Sequence, residues 1–224
     1  MPQGRPQLFP ACRMSVPLKT IVYVDGFNFY YGAVRKTPYK WLDIPAMCQK
    51  LLPRHEIVKT KYFTARVAAR PSDPDQPNRQ QTYLRALQTL PNIEVIYGHF
   101  LTNRVRMPVA NCPPNAQRYE WVIKTEEKGS DVNLATHLVA DAFRRRFEAA
   151  VLITNDSDLT EAVRIVKQEL GLVVGILNPH QHPSRELLKN ASFMKPIRTG
   201  VLASSQLASP LHDGAGEIRK PGSW

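Results

Sequence analysis

The run Ala149-Ala150-Val151-Leu152-Ile153-Thr154 restricts this chain more than any other stretch. It is apolar at consecutive positions, so a strand built from it must bury both of its faces. Strands of that kind belong to parallel sheets covered by helices on both sides, whereas a strand with one wet face alternates apolar and polar residues. A second run, Ile21-Val22-Tyr23-Val24, has the same β-branched character and closes on Asp25-Gly26. Two buried parallel strands need long crossover connections, and helical connections fill that need.

The rest of the chain supplies them. Phe27, Tyr30, Tyr31 and Val34 recur at i, i+3, i+4 and i+7 and predict a helix over about 27–36. On this spacing Phe29 falls off the buried stripe and reads as a stacking residue. Asp43 is a helix N-cap with Pro45 in the first turn, and that helix runs to Leu52. Residues 56–67 alternate and predict a basic strand. A helix over 78–90 and a strand over 93–101 follow. Residues 102–118 are irregular and predict an insertion or hairpin on the rim, with 119–124 extended. A helix to about 146, the strand at 149–154, a helix over 158–170 and strands near 172–177 and 193–198 complete the alternation, with a short helix at 184–190 between the last two. Strands alternating with helices predict an α/β protein, a three-layer α/β/α sandwich with a mainly parallel central sheet. Its domain covers 19–200, between a basic Pro-rich N-terminal tail (1–18) and a flexible, Ser/Gly/Pro-rich C-terminal tail (201–224). Met14, just ahead of the first strand, is a second candidate start beside Met1.

Acids arrive at the carboxyl ends of these strands, the edge where open α/β sheets bind ligands. Asp25 ends the first run; Asp-Gly is also a common turn dipeptide. Asp131 heads a stripe formed by Leu134, Ala135, Leu138, Val139, Ala142 and Phe143, so it points along the buried side of its helix. It is a site residue or a complement to the helix dipole. Asp141 falls off that stripe and reads as a surface charge. Asp156 follows the central strand. Asp158, with Glu161 three residues on, is an N-cap, a ligand, or both. Carboxylates that converge repel one another and stay ionised with cations between them. An all-oxygen set suits Mg²⁺ or Mn²⁺, which activate water and stabilise leaving oxygens in phosphodiester hydrolysis.

Charge points to the partner. Lys and Arg number 30 against 19 Asp and Glu, a formal +11, which suits a polyanion such as RNA. Arg104, Arg106 and Arg118 in the irregular stretch, with Lys124 and Lys128 near the acids, are its candidate contacts; a solvated basic loop is the other reading of the arginines. The cysteines Cys12, Cys48 and Cys112 have no metal-site or redox spacing and suit reduced thiols in the cytoplasm. His180 and His182 lie in a Pro-bounded segment that reads as a solvated loop, with contact to a metal as the other reading. No apolar run approaches the roughly 18 residues of a membrane span.

Tyr23-Val24-Asp25-Gly26-Phe27-Asn28, Lys128-Gly129-Ser130-Asp131-Val132 and Thr154-Asn155-Asp156-Ser157-Asp158-Leu159 together resemble the three motifs of the NYN domain family, the PIN-like ribonucleases with a LabA-like bacterial branch. The resemblance spans about 19–198. It implies a PIN-like fold and a metal-dependent endoribonuclease with Asp25, Asp131 and Asp156 as metal-binding acids and Asp158 as a further acid. It also implies that Asn28 positions water or phosphate, that Thr154 is the small hydroxyl residue ahead of the last acids, and that the protein is a homodimer. Asn155 stands where glycine is common and Leu159 where an aromatic is common, changes that bear on substrate fit. A haloacid-dehalogenase-type phosphatase needs an acid at Phe27 and does not fit. The remaining rival is a PIN-like fold that binds RNA without cutting it.

Overall fold

The computed structural model describes residues 16–113 and 115–224. The expectations of a loose N-terminal tail and of a start at Met14 fall on 1–15, outside the described residues. In chain order the strands are β1 (Leu18–Asp25), β2 (His55–Thr64), β3 (Ile93–Tyr97), β4 (His99–Pro108), β5 (Tyr119–Lys128), β6 (Ala149–Ile153), β7 (Val173–Asn178), β8 (Phe193–Pro196), β9 (Leu211–Asp213) and β10 (Gly216–Ile218). The helices are α1 (Gly26–Phe29), α2 (Ile44–Leu51), α3 (Gln76–Gln88), α4 (Ser130–Phe143), α5 (Thr160–Arg164), α6 (Arg185–Asn190) and α7 (Thr199–Ala203). The first and fifth continue as wider turns over Tyr30–Val34 and Ile165–Glu169.

Six strands form one sheet in the order β3-β2-β1-β6-β7-β8, all parallel. Helices cover both faces, giving the α/β sandwich expected from the two apolar runs. Strand β6 shows why those runs are continuous. Ala150 and Leu152 pack with Leu134, Leu138 and Val163 of α4 and α5. Val151 and Ile153 pack on the opposite layer with Met47, Leu84 and Leu202. The sheet order reverses direction between β1 and β6, which are hydrogen-bonded neighbours. Their carboxyl ends therefore flank the crevice where such sheets bind ligands.

Four expectations change. Phe29 is buried, and Tyr31 is 45% exposed. Arg35 N donates to Tyr30 O at 2.7 Å, an i→i+5 bond that widens the turn and puts residues five apart, Phe29 and Val34, on one face. The strand expected over 93–101 is two strands, parted at Gly98. A Cβ there would lie 2.6 Å from Lys128 O, so only glycine lets the chain leave the sheet this close to the end of β5. Strands β4 and β5 then pair antiparallel along ten residues each, the hairpin reading of 102–118, and the pairing reaches back to His99 and on to Lys128.

The third change is at the C-terminus. Residues after 200 are not loose: Leu202, Leu207 and Ile218 are buried, and Trp41 is enclosed with Leu207, Ile218 and Trp224. Arg85 holds Asp213 through two bonds of 2.9 and 2.8 Å. The fourth is Asp141, which is buried rather than a surface charge. It accepts hydrogen bonds from Lys61 Nζ (2.5 Å), Tyr23 Oη (2.9 Å) and Arg146 Nη1 (3.0 Å). Burial alone would raise its carboxyl, but the bonds from Lys61 and Tyr23 outweigh that and hold it below the usual range.

Candidate active site

Asp25 is the last residue of β1 and the N-cap of α1, with its side chain only 5% exposed in the crevice. Its Oδ1 accepts from the Asn28 backbone N–H at 2.9 Å, satisfying one open donor of the helix start. Its Oδ2 accepts from Thr154 Oγ1 at 3.0 Å, across from β1 to the end of β6. Thr154 Oγ1 in turn accepts from the Asp156 backbone N–H at 3.1 Å. One hydroxyl therefore fixes the first acid to the loop that carries the last. Thr154 is wholly buried, and its two hydrogen bonds orient the acid-bearing elements.

Asp131 reaches the same place from α4. The chain leaves β5 through Gly129 at φ +95°, a left-handed conformation that glycine adopts without penalty. Ser130 then donates from its backbone N (3.1 Å) and its Oγ (2.7 Å) to Glu127 Oε1, which closes the helix start and leaves Asp131 in the first turn. One carboxylate oxygen from each of Asp25, Asp131 and Asp156 lies within 4.8 Å of the others. Asp158 stands outside this group of three and is exposed. It is not the N-cap: Asp156 Oδ1 accepts from the Asp158 N–H at 3.0 Å, so the cap is one residue pair earlier, and Glu161 is engaged by Arg164 instead.

Among the described residues no lysine or arginine forms an ion pair with any of the three acids. Burial pushes the Asp25 carboxyl up to about 6, with Asp131 and Asp156 adding to the rise against the lowering bonds from Asn28 and Thr154. Asp131 is raised too, by burial first and then by Asp156, Glu127 and Asp158. Three oxygen ligands at this spacing, unpaired with any cationic side chain among the described residues, fit a hard divalent cation such as Mg²⁺ or Mn²⁺.

Asn28 is held from three sides. Its Oδ1 accepts from the Asn155 N–H at 3.0 Å and lies 3.1 Å from His180 Nε2. Asn155 also receives Ser184 N and donates to His182 O, so it ties the loop after β7 to the site. His180 and Glu127 are the residues that sequence reasoning missed. The signal for His180 was its position: its loop follows a strand whose carboxyl end shares the edge with β6. Glu127 had no comparable signal.

The basic candidates divide. Arg104 and Arg106 lie on one face of the ribbon, over the rings of Trp121 and Tyr119 at 4.8 and 5.1 Å. Arg118 precedes β5 at the ribbon's far end. Lys124 and Lys128 are on the other face, paired with Glu126 at 2.7 and 3.6 Å. Among the described residues no helix is long and apolar enough to cross a membrane.

Comparison with known proteins adds three findings. The NYN domain family model matches residues 19–197. The chain is 33% identical to 6-hydroxy-3-succinoylpyridine 3-monooxygenase HspA of Pseudomonas putida (strain DSM 28022 / S16), over 94% of this chain and 76% of that protein. The crystal structure of a protein of unknown function from Vibrio parahaemolyticus RIMD 2210633 matches with a TM-score of 0.54 at 18% identity, over 86% of this chain and 98% of that one, a likeness of fold.

Proposed function

The chain belongs to the NYN domain family, and from that premise we propose that it is a metal-dependent endoribonuclease that hydrolyses RNA phosphodiester bonds at Asp25, Asp131 and Asp156. The observation that carries the reading is the trio of converging carboxylates with no cationic side chain paired to them among the described residues. Such a group destabilises the protein unless a cation occupies it, so a ligand is the physical reason for its existence. These three acids would hold Mg²⁺ or Mn²⁺. When bound, an ion of this kind supplies Lewis acidity toward phosphoryl oxygen and stabilises charge on the leaving oxygen.

The chain's own residues do the rest. Thr154 holds the Asp25 and Asp156 elements in fixed relation through its two hydrogen bonds. The Asn28 amide oxygen is occupied by Asn155 and His180, which aims its amide nitrogen as the group to donate to a phosphate or water. Asp158, exposed two residues after Asp156, would accept a proton from water at the mouth. Arg104, Arg106 and Arg118, with Lys124 and Lys128 when Glu126 releases them, neutralise RNA phosphates. An RNA substrate suits a cytoplasmic location, and the family resemblance suits a homodimer.

The test is cleavage of a labelled RNA with Mn²⁺, with EDTA, and by Asp131→Asn. Cleavage that needs the metal and falls at least a hundredfold in the variant supports the proposal. RNA binding without cleavage under all metals would leave the non-catalytic PIN-like reading in its place.

A second reading has its own observation. Behind Gly26, next to Asp25, a cavity of about 100 Å³ is lined by Tyr30, Tyr62 and Tyr83. It is smaller than the enclosed apolar cavity of about 150 Å³ that binds benzene, and Lys40, Asp73 and Arg79 also line it, so it would suit a ring that carries polar groups. The relative named as a hydroxypyridine monooxygenase makes a small heteroaromatic the substrate to try. Oxygen uptake with a hydroxypyridine and a reduced nicotinamide, undiminished by Tyr62→Phe but lost on filling the cavity by Val34→Trp, would favour it over the nuclease.

A further inference from the structure

The ribbon of β4 and β5 has two unlike faces. Pairing is in register from His99↔Lys128 to Pro108↔Tyr119, so directly opposed residues share a face. One face carries Arg104 and Arg106 with Trp121 and Tyr119, and above Glu127 it holds no acid. The other face carries Glu120 and Glu126, with Lys124 and Lys128 paired to Glu126. The basic charge of the ribbon is thus uncompensated on the arginine face alone.

That face also exposes large rings. Trp121 is 58% exposed and Tyr119 46%, each with a guanidinium set against its ring. A two-stranded ribbon is marginal in water by itself, and leaving an indole in solvent adds to that cost, so a ligand that covers the rings is the economical explanation. At its base the same face joins the acids. Phe100 packs edge-on against Phe27 with ring centroids 5.8 Å apart, and Glu127 accepts the bonds of Ser130 beside Asp131.

Resting on the nuclease reading of the acids, we infer that the arginine face of the ribbon is a track for single-stranded RNA, on which Trp121 and Tyr119 stack bases while Arg104 and Arg106 contact the flanking phosphates. A row of flat rings on β5 (Tyr119, Trp121) beside a row of guanidinium groups on β4 (Arg104, Arg106) suits a strand whose bases lie along one side and phosphates along the other, and stacking on aromatic side chains tolerates any base. Duplex RNA, whose bases are already stacked and paired, has nothing to offer these rings. The track leads a strand down past Phe100 and Phe27 to the three acids.

The test is equilibrium binding of a labelled oligouridine to the full chain in EDTA, where no hydrolysis occurs. Trp121→Ala should weaken binding about five- to a hundredfold, the range for losing one stacked base. Trp121→Phe should restore most of it, and Met107→Ser, on the opposite face, should change nothing. An abasic oligonucleotide of the same length, which forfeits the stacks on both Trp121 and Tyr119, should bind the parent protein more weakly than oligouridine binds Trp121→Ala, and Trp121→Ala should weaken abasic binding no further. Equal binding of oligouridine by the parent and Trp121→Ala, or of duplex and single strand by the parent, would overturn the inference. So would a ribbon whose Trp121→Ala variant changes only the oligomeric state in sedimentation, since the occupant would then be a second copy. Tight, Trp121-dependent binding by a protein that never cleaves RNA keeps the track and defeats the nuclease; cleavage indifferent to Trp121 does the reverse.

Discussion

Helix α4 places one aspartate in its first turn and another near its last, and their surroundings are opposite. Asp141 is enclosed by Lys61, Arg146 and the Tyr23 hydroxyl, and its carboxyl is held low. Asp131 faces Asp25 and Asp156 with no lysine or arginine among the described residues paired to any of them, and its carboxyl is raised. The same strand, β1, serves both ends, through Tyr23 at one and Asp25 at the other. A buried acid with its counterions supplied by the chain is a structural element; one without them is waiting for a charge from outside. The difference teaches that burial of a carboxylate says little about its role until the neighbouring cations are counted.

The largest expected effect breaks the compensated end. Asp141→Ala leaves Lys61 buried without its partner, a change that costs about 3–5 kcal/mol. In a chain of this length that lowers Tm by roughly 6–20 °C. Activity per folded molecule should hardly change, and a variant that stays folded yet loses turnover would erase the distinction between the two ends.

Next comes the uncompensated end. If a divalent ion occupies it, Mn²⁺ at a hundred times its Kd should stabilise the protein by about 2.7 kcal/mol, read as a rise in Tm. Asp131→Asn should abolish most of that rise, and Asp141→Asn should keep it. A melting curve indifferent to Mn²⁺ counts against the shared site.

The pH dependence should run in opposite directions at the two ends. Asp25, raised in the fold to about 6, binds a proton more tightly folded than unfolded, so in EDTA its contribution to stability is lost as pH rises from about 4 through 6. Asp25→Asn should flatten that slope and, at pH 7.5 without metal, be more stable than the parent by on the order of 2 kcal/mol. Adding Mn²⁺ should reverse the order. Asp141, lowered in the fold, contributes stability that is present above the unfolded pKa and lost as pH falls through its own lower value. Denaturant midpoints across pH 3–8 for the parent and both Asn variants separate the two slopes.

The smallest effect concerns Asp158. Because Asp156 provides the cap, Asp158→Ala should alter stability by no more than about 0.5 kcal/mol, whereas Asp156→Ala without metal should cost about 1 kcal/mol. If Asp158→Ala also leaves cleavage intact, that acid has no part in the site.

Local chemistry made much of this legible. Asp43 with Pro45 announces α2, and the Ala46 N–H does donate to Asp43 at 2.8 Å. Consecutive apolar residues at 149–153 require a strand covered on both sides, and the sheet has it there. Asp131 at the head of an apolar stripe had to point toward the sheet edge, where it meets Asp25 and Asp156. In each case the signal and its consequence lie within a few residues of one another, so pattern and propensity suffice.

What tertiary structure decided depends on partners far apart in the chain. Nothing near Asp141 in the sequence predicts its burial, because Lys61 and Tyr23 lie 80 and 118 residues away and only the sheet brings them to it. The wider turn that buries Phe29 departs from the 3.6-residue period that any helical reading assumes. The C-terminal segment is held by its few apolar residues, Leu207, Ile218 and Trp224, packing on distant Trp41, and by Arg85 pairing with Asp213. His180 joins Asn28 only because β7 lies beside β6. The sequence by itself determined the layers and the meeting of three acids, since hydrophobic period and strand ends are local properties. Which buried charges are compensated was decided by the fold, because Coulombic pairing acts through space and the chain order does not record it.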